Sequence, residues 1–339
     1  MRILYFDCFS GLSGDMTLAS LVDLGADRDY IERELRKLDV GGYTLSWRRV
    51  VKKGISALKA DVLLENDAPP VRRPLKVLQQ AHEHAHGHDH SHDHHNHDHS
   101  HSHDHHHDHG HHHEHNHHHH HGHDHGHSHD HGHSHDHGHH HRGYADIVRL
   151  IENAGLSERA TELSLAIFAK IGAAEAKIHG IPVETVHFHE VGAVDSIVDI
   201  VGVALAIDHL NPDRILSSPV PLGAGSIRID HGLYPVPAPA TLEMMRGLPI
   251  APSTHRLELT TPTGAAIVAA LVDEFSQSLP PMIVESVGYG AGTRELPNQP
   301  NVLRTVLGFA EKRLNVWPSA QHAEAHAHGG EHERHHRGQ

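Results

Sequence analysis

The sequence predicts an α/β or α+β protein: a mixed sheet with packed helices, interrupted by a long disordered histidine-rich insertion. Three observations lead there. Short apolar runs alternate with segments of helical period along residues 1–68 and 143–310. Gly- and Pro-rich turns punctuate those segments. Between them, residues 69–142 consist largely of Asp-His, Gly-His and Ser-His pairs, with almost nothing apolar to offset the entropy of ordering. A second polar, histidine-containing stretch, 311–339, is predicted to be a disordered tail.

Taken in order, residues 1–9 (MRILYFDCF) form a buried first strand. It turns at GLSGDM into a helix with apolar spacing at Leu18, Leu21, Val22 and Leu24, closed by Gly25. A second helix covers 29–38. Strands follow at 43–51 and 55–65, with Gly54 near the turn. Beyond the insertion, helices are predicted at 144–153 and 157–179, a short strand at 185–189, and a helix from 194 to about 210. The remainder alternates short strands with turns. VPLGAG (220–225) is one such turn, and a Pro-rich helix start follows at 235–239. TTPTG (260–264) precedes an apolar helix at 265–275, 281–292 is a strand ending in GYGAG, and 301–309 is the last strand. No repeat is evident outside the histidine tract.

A length of 339 residues suggests one to three domains. The low hydrophobic content, 37%, has a local cause, because about three-quarters of the 48 histidines lie between His82 and His141. The formal net charge of −15 is concentrated in the same way. Outside the tract, 28 basic residues face about 33 acidic ones, an ordinary balance. With no basic patch and only 4% aromatic residues, nucleic-acid binding has little support. Cys8 is the only cysteine, which excludes an internal disulfide and points to a reducing, cytoplasmic compartment. The N-terminus lacks the pattern of a signal peptide. No apolar stretch reaches the 18 or so residues a membrane span needs, which argues against a transporter.

The candidate sites fall into three groups. The tract, including His86, His88, His90, His117, His119 and His121, offers closely spaced imidazoles for borderline divalent metals. It should have high capacity and poor selectivity; the alternative is a solvated linker. The second group is His187-Phe188-His189-Glu190. If this segment is a strand, His187 and His189 face one side and can share an ion. Asp195 and Asp199 lie four apart on one helical face, so two imidazoles and up to three carboxylates can converge at a strand-to-helix junction. The alternative is an ordinary strand followed by a solvated acidic face.

The third group is glycine- and threonine-rich. Ser10, Gly11, Ser13 and Gly14 sit between a strand and a helix, where ligands bind in open α/β sheets and backbone N–H groups hold phosphate. Asp7 and Asp15 flank this turn and would be costly to bury without a ligand, a metal or a salt bridge. Thr261, Thr263 and Gly264 form a second candidate cradle, for which simple N-capping is the competing explanation. Gly288–Gly292 can admit a ligand close to the backbone or serve as a turn. Cys8 reads best as a small buried strand residue.

Several of these stretches together resemble one family closely: FDCFSGLSGDM (6–16), HFHEVGAVDSIVDIVG (187–202), SSPVPLGAG (217–225), HGLYPVPAPATLE (231–243), ELTTPTGAA (258–266), and GYGAG with PNVLR (288–304). The sequence resembles the LarC nickel-insertion family, with the stretches in the family's order. The resemblance implies that the substrate is pyridinium-3,5-bisthiocarboxylic acid mononucleotide. Nickel(II) enters between two thiocarboxylate sulfurs and bonds the ring carbon between them, in a lyase-type cyclometallation. It also implies use of CTP with manganese or magnesium, and delivery of the product to a nickel-pincer apoenzyme of the lactate racemase type. In the family a CTP-binding region follows the PNVLR strand. Here a short histidine-containing tail follows instead, so that region is expected to be missing or to be supplied by a separate C-terminal partner chain.

Loss of the ring proton requires a general base. His187 and His189 are therefore expected to deliver or hold nickel, with Glu190, Asp195 or Asp199 as base or further ligand. Asp7 and Asp15, with the adjoining amides, would bind a metal-linked phosphate or a second ion. Two other functions remain open at the level of sequence. The tract alone fits a nickel store or metallochaperone without chemistry, and the SGD turn alone fits a metal-dependent phosphohydrolase.

Overall fold

The computed structural model describes residues 1–64, 142–188, 191–229 and 232–310. The histidine-rich insertion, the residues from 311 onward, His189 and Glu190 lie outside the described residues.

The first strand, β1 (Arg2–Asp7), is buried from Ile3 to Phe6. Helix α1 (Gly14–Leu24) follows and is closed by Gly25, whose positive φ ends it. Next come α2 (Arg28–Leu35) and the antiparallel hairpin of β2 (Tyr43–Lys52) and β3 (Ile55–Leu64). After the insertion the order is α3 (Tyr144–Asn153), α4 (Glu158–His179) and α5 (Val194–Leu210). Four short strands follow: β4 (Arg214–Ser217), β5 (Val220–Pro221), β6 (Ser226–Ile229) and β7 (Gly232–Pro235). The order closes with α6 (Pro239–Met244), β8 (Ile250–Ala251), α7 (Pro262–Leu271), β9 (Glu274–Phe275), β10 (Ile283–Ala291) and β11 (Val302–Phe309).

Seven strands make one mixed sheet, ordered β2-β3-β10-β11-β1-β4-β9. β1 pairs antiparallel with β11 and parallel with β4, while β10 meets β3 at a single register position, Gly290 with Leu58. Strands from both sides of the insertion therefore share this sheet. Two small sheets, β5-β8 and β6-β7, accompany it.

The main core lies between one face of the sheet and the helices. Helix α5 is apolar almost all round and is buried accordingly, packed by α1, α2 and α4. Helix α1 lies directly on β10. A Cβ at Gly288 or Gly290 would collide with the backbone carbonyl of Ser20 or Met16, so the GYGAG glycines bring helix and sheet backbones together. Among the described residues, no helix is long and apolar enough to cross a membrane.

Three expectations about elements need correction. Helix α2 ends at Leu35 rather than 38, with Arg36 as its C-cap. The anticipated strand at 185–189 is a single 3-10 turn, Val183–Thr185, closed by Thr185 N–H to the Pro182 carbonyl at 3.0 Å. Beyond it, His187 forms one isolated bridge with Gly143. The apolar run 265–275 divides because α7 stops at Leu271 and β9 begins at Glu274. Asp273 anchors the break, its carboxylate accepting the Ile215 N–H at 2.8 Å.

Candidate active site

Three helices, α1, α5 and α7, direct their N-termini at one cavity of about 670 Å³, which the β2–β3 hairpin closes on another side. Gly14 is the point of closest approach. A Cβ there would stand 2.7 Å from the Asp199 carboxylate and 2.9 Å from the Thr263 methyl. The turns before α1 and α7 are themselves stitched together, Thr261 N–H to the Leu12 carbonyl at 3.2 Å and Leu12 N–H to Thr260 Oγ1 at 3.4 Å. Gly11 has φ +82°, and a side chain on Gly11 or Gly264 would strike the backbone of the facing turn.

Carboxylates outnumber cations around this space: Asp15, Asp61, Asp195, Asp199 and Glu258 against Lys59 and Arg48. Asp15 and Asp195 stand in the first turns of α1 and α5, at the positive ends of the helix dipoles. Lys59 is only 3% exposed. Its Nζ lies 2.8 Å from Asp15 Oδ2 and 3.1 Å from Asp61 Oδ1. Burial, the largest single influence on Lys59, pulls its pKa down, but the charge and hydrogen bond of Asp15, with those of Asp61, outweigh it and the net shift is upward. Arg48 Nε pairs with Asp61 Oδ2 at 3.2 Å, and Ser13 Oγ donates to Asp15 Oδ1.

Asp199 is different. It accepts the backbone N–H of Asp15, yet its Oδ1 is buried without a hydrogen-bond partner among the described residues. Burial raises its pKa well above the usual carboxylate value, and the charges of Asp15 and Asp195 push the same way. Lys59 and the Asp15 amide oppose that shift only in part.

The candidate residues are distributed as follows. Ser13, Gly14 and Asp15, with Asp195 and Asp199, line the cavity, and so do Thr261 and Thr263. Gly11 and Gly264 stand behind the wall at backbone contacts, and the Thr261 hydroxyl caps α7 by accepting the Gly264 N–H at 3.2 Å. Ser10 is buried, donating to the Pro300 carbonyl at 2.7 Å and accepting from Gln299 at 3.0 Å. Asp7 pairs with Arg304, whose Nε lies 2.8 Å away. His187 is exposed beside the start of α3, while Val191, four residues on, lines the cavity. Among the described residues, no group of three or more His, Cys, Asp or Glu side chains is arranged to hold a metal ion. Cys8 is buried, with Sγ 3.4 Å from Ser217 Oγ, and burial pushes its thiol up to about 12.

Lys59, Asp61 and Arg48 escaped the reading of the sequence. A signal was present: Ile55, Ala57, Lys59 and Asp61 occupy one face of β3, so charge interrupts a strand face that begins with apolar residues.

Comparison with known proteins covers nearly the whole chain. A pyridinium-3,5-bisthiocarboxylic acid mononucleotide nickel insertion protein of Geobacillus kaustophilus is 44% identical over 323 residues, 95% of this chain and 64% of the relative. A protein of the same description from Clostridium acetobutylicum is 45% identical over 317 residues, 93% of this chain and 66% of the relative. One from Clostridium kluyveri is 40% identical, again over 93% of this chain and 64% of the relative. The chain thus spans about two thirds of the length of these relatives. No solved structure matches it. The profile of the nickel insertion proteins matches residues 4–336, and the chain belongs to that family.

Proposed function

We propose that the cavity between α1, α5 and α7 is where nickel(II) is inserted into pyridinium-3,5-bisthiocarboxylic acid mononucleotide, yielding the nickel-pincer nucleotide. The family membership and the names of the relatives support the reaction. The observation that carries the location is Asp199, a buried carboxylate oxygen with no partner in a cavity rimmed by acids.

Forming a nickel–carbon bond replaces a ring C–H bond and releases a proton. In this proposal Asp199 Oδ1 accepts that proton, because an unpartnered oxygen has a lone pair ready and its raised pKa makes it a stronger base than an exposed carboxylate. Asp195 and Asp15 hold the incoming cation. Thr263 and Gly14 face the organic substrate, Gly14 leaving the room that a side chain would fill. His187 and His189 pass nickel toward Val191 and the cavity, and the histidine tract supplies capacity. The lone buried Cys8 supports a reducing, cytoplasmic setting for this work.

Use of CTP with manganese or magnesium is part of the family reading, but the cavity's donors do not suit a triphosphate. The Asp15 N–H is given to Asp199, the Gly264 N–H to Thr261, Pro262 has none, and the rim is acidic.

The test is an insertion assay with the purified chain, nickel(II) and the mononucleotide, with and without CTP and manganese, read by mass spectrometry and by activation of apo-lactate racemase. A C-terminal fragment of a longer relative is added in a parallel arm. Product in either arm that falls sharply on Asp199→Asn supports the assignment. Product formed equally well by Asp199→Asn removes Asp199 as the base.

A further inference from the structure

Lys59 is a cation built into the cavity wall between two carboxylates. We infer that Asp15, Asp61 and Asp199 form a divalent-cation site with oxygen ligation, and that the Lys59 ammonium occupies this site until a metal ion displaces it. The inference rests on the proposed function only for what the ion is used for; the site itself can be tested without any insertion chemistry.

Two observations support it. One ammonium contacts Asp15 Oδ2 at 2.8 Å and Asp61 Oδ1 at 3.1 Å, so two oxygens from different elements already converge on one positive centre. Asp199 is joined to the same cluster through the Asp15 amide, and its buried Oδ1 is left without a partner. An ammonium has only three protons to give and a fixed single charge, whereas a divalent ion takes six or more oxygens and brings a second charge.

Five carboxylates, those of Asp15, Asp61, Asp195, Asp199 and Glu258, line the cavity with Lys59 and Arg48. Exchanging the ammonium for a divalent ion lowers that excess of negative charge.

Manganese(II) is the probe, because it favours carboxylate oxygen and stands low in affinity for imidazole, so the histidine tract contributes little and contributes equally in every variant. Free manganese is read by electron paramagnetic resonance in the full chain. Lys59→Met, which suits a buried position, is expected to bind one further manganese ion at least tenfold more tightly than the unaltered chain. Lys59→Met combined with Asp15→Asn is expected to lose that gain. Equal manganese binding by the unaltered chain and a folded Lys59→Met overturns the inference, as does a gain that survives Asp15→Asn. A second measurement needs no variant. Saturating manganese should expose Lys59 to reductive methylation, located by peptide mass spectrometry. A Lys59 that stays unmodified under saturating manganese also overturns it.

Discussion

Asp7 and Asp199 are both carboxylates placed beside β1 and α1, and both lie where a lone charge is unfavourable. They resolve the problem differently. Asp7 closes on Arg304 from the neighbouring strand β11, and that pairing ends its demand for a partner. Asp199, which lines the cavity, receives one backbone N–H and is left with a buried oxygen that has no partner among the described residues. The general argument that a buried acid needs a ligand, a metal or a salt bridge applies to both. In Asp7 the salt bridge answers it within the fold. In Asp199 the answer is left to whatever enters the cavity, and the raised pKa is the measure of what is missing.

The two aspartates differ most in their effect on rate. Asp199→Asn is expected to slow insertion by about 100-fold or more, the range for loss of a general base, while nickel binding by the tract persists; a radiometric nickel-binding assay beside the insertion assay separates the two. The same substitution should stabilise the fold near neutral pH. The folded state holds the Asp199 proton to higher pH than the unfolded chain, so this group's contribution is most favourable below the unfolded carboxylate value and declines as pH rises through the folded value. The stabilisation by Asn should therefore shrink as pH falls toward about 4, and urea denaturation at several pH values would show it. A margin that widens on acidification would contradict the assignment.

Gly14→Ala acts on Asp199 by steric means. A methyl 2.7 Å from the Asp199 carboxylate must displace it, and activity should fall by about tenfold, roughly 1.4 kcal/mol of barrier, with KM for the mononucleotide raised. Asp7→Asn tests the closed partner. Arg304 is partly exposed at 42%, so losing the pair should destabilise the fold by only about 1 kcal/mol, with the insertion rate nearly unchanged. Guanidinium denaturation measures the first and the insertion assay the second. The smallest effect belongs to deletion of residues 82–141. Activity at saturating nickel should be unaltered and only performance at scarce nickel reduced; a complete loss of cellular function with full activity in vitro would favour a nickel store.

The fold could be read from the sequence wherever one period dominated. Helix α5 runs from Val194 to Leu210 as its pattern suggests, because its apolar run ends at Asn211, whose left-handed backbone caps the helix. The alternation His187-Phe188-His189 resembled a strand but was too short to decide. Pro182 and the local carbonyls fold the preceding residues into a 3-10 turn instead. The run 265–275 hid a helix end, since hydrophobicity continues through Ala270, Leu271 and Val272 while the backbone changes from helix to strand. Of the site, the SGD and TTPTG turns and the Asp195–Asp199 pair could be named beforehand because each is local. That they face one another is tertiary information, carried by glycines whose missing side chains permit the contact. Lys59 was invisible for the same reason: its meaning lies in Asp15, which is 44 residues away.

Strand β3 ends at Leu64, and the histidine-rich stretch begins in sequence soon after, with His82. Whatever path the intervening residues take, chain geometry limits His82 to about 60 Å from Leu64. One ion confined to a sphere of that radius is present at a concentration on the order of 1 mM. While the tract holds an ion, covalent attachment to the strand that carries Lys59 keeps that ion at this local concentration, and the loading of the tract still follows the metal in bulk solution.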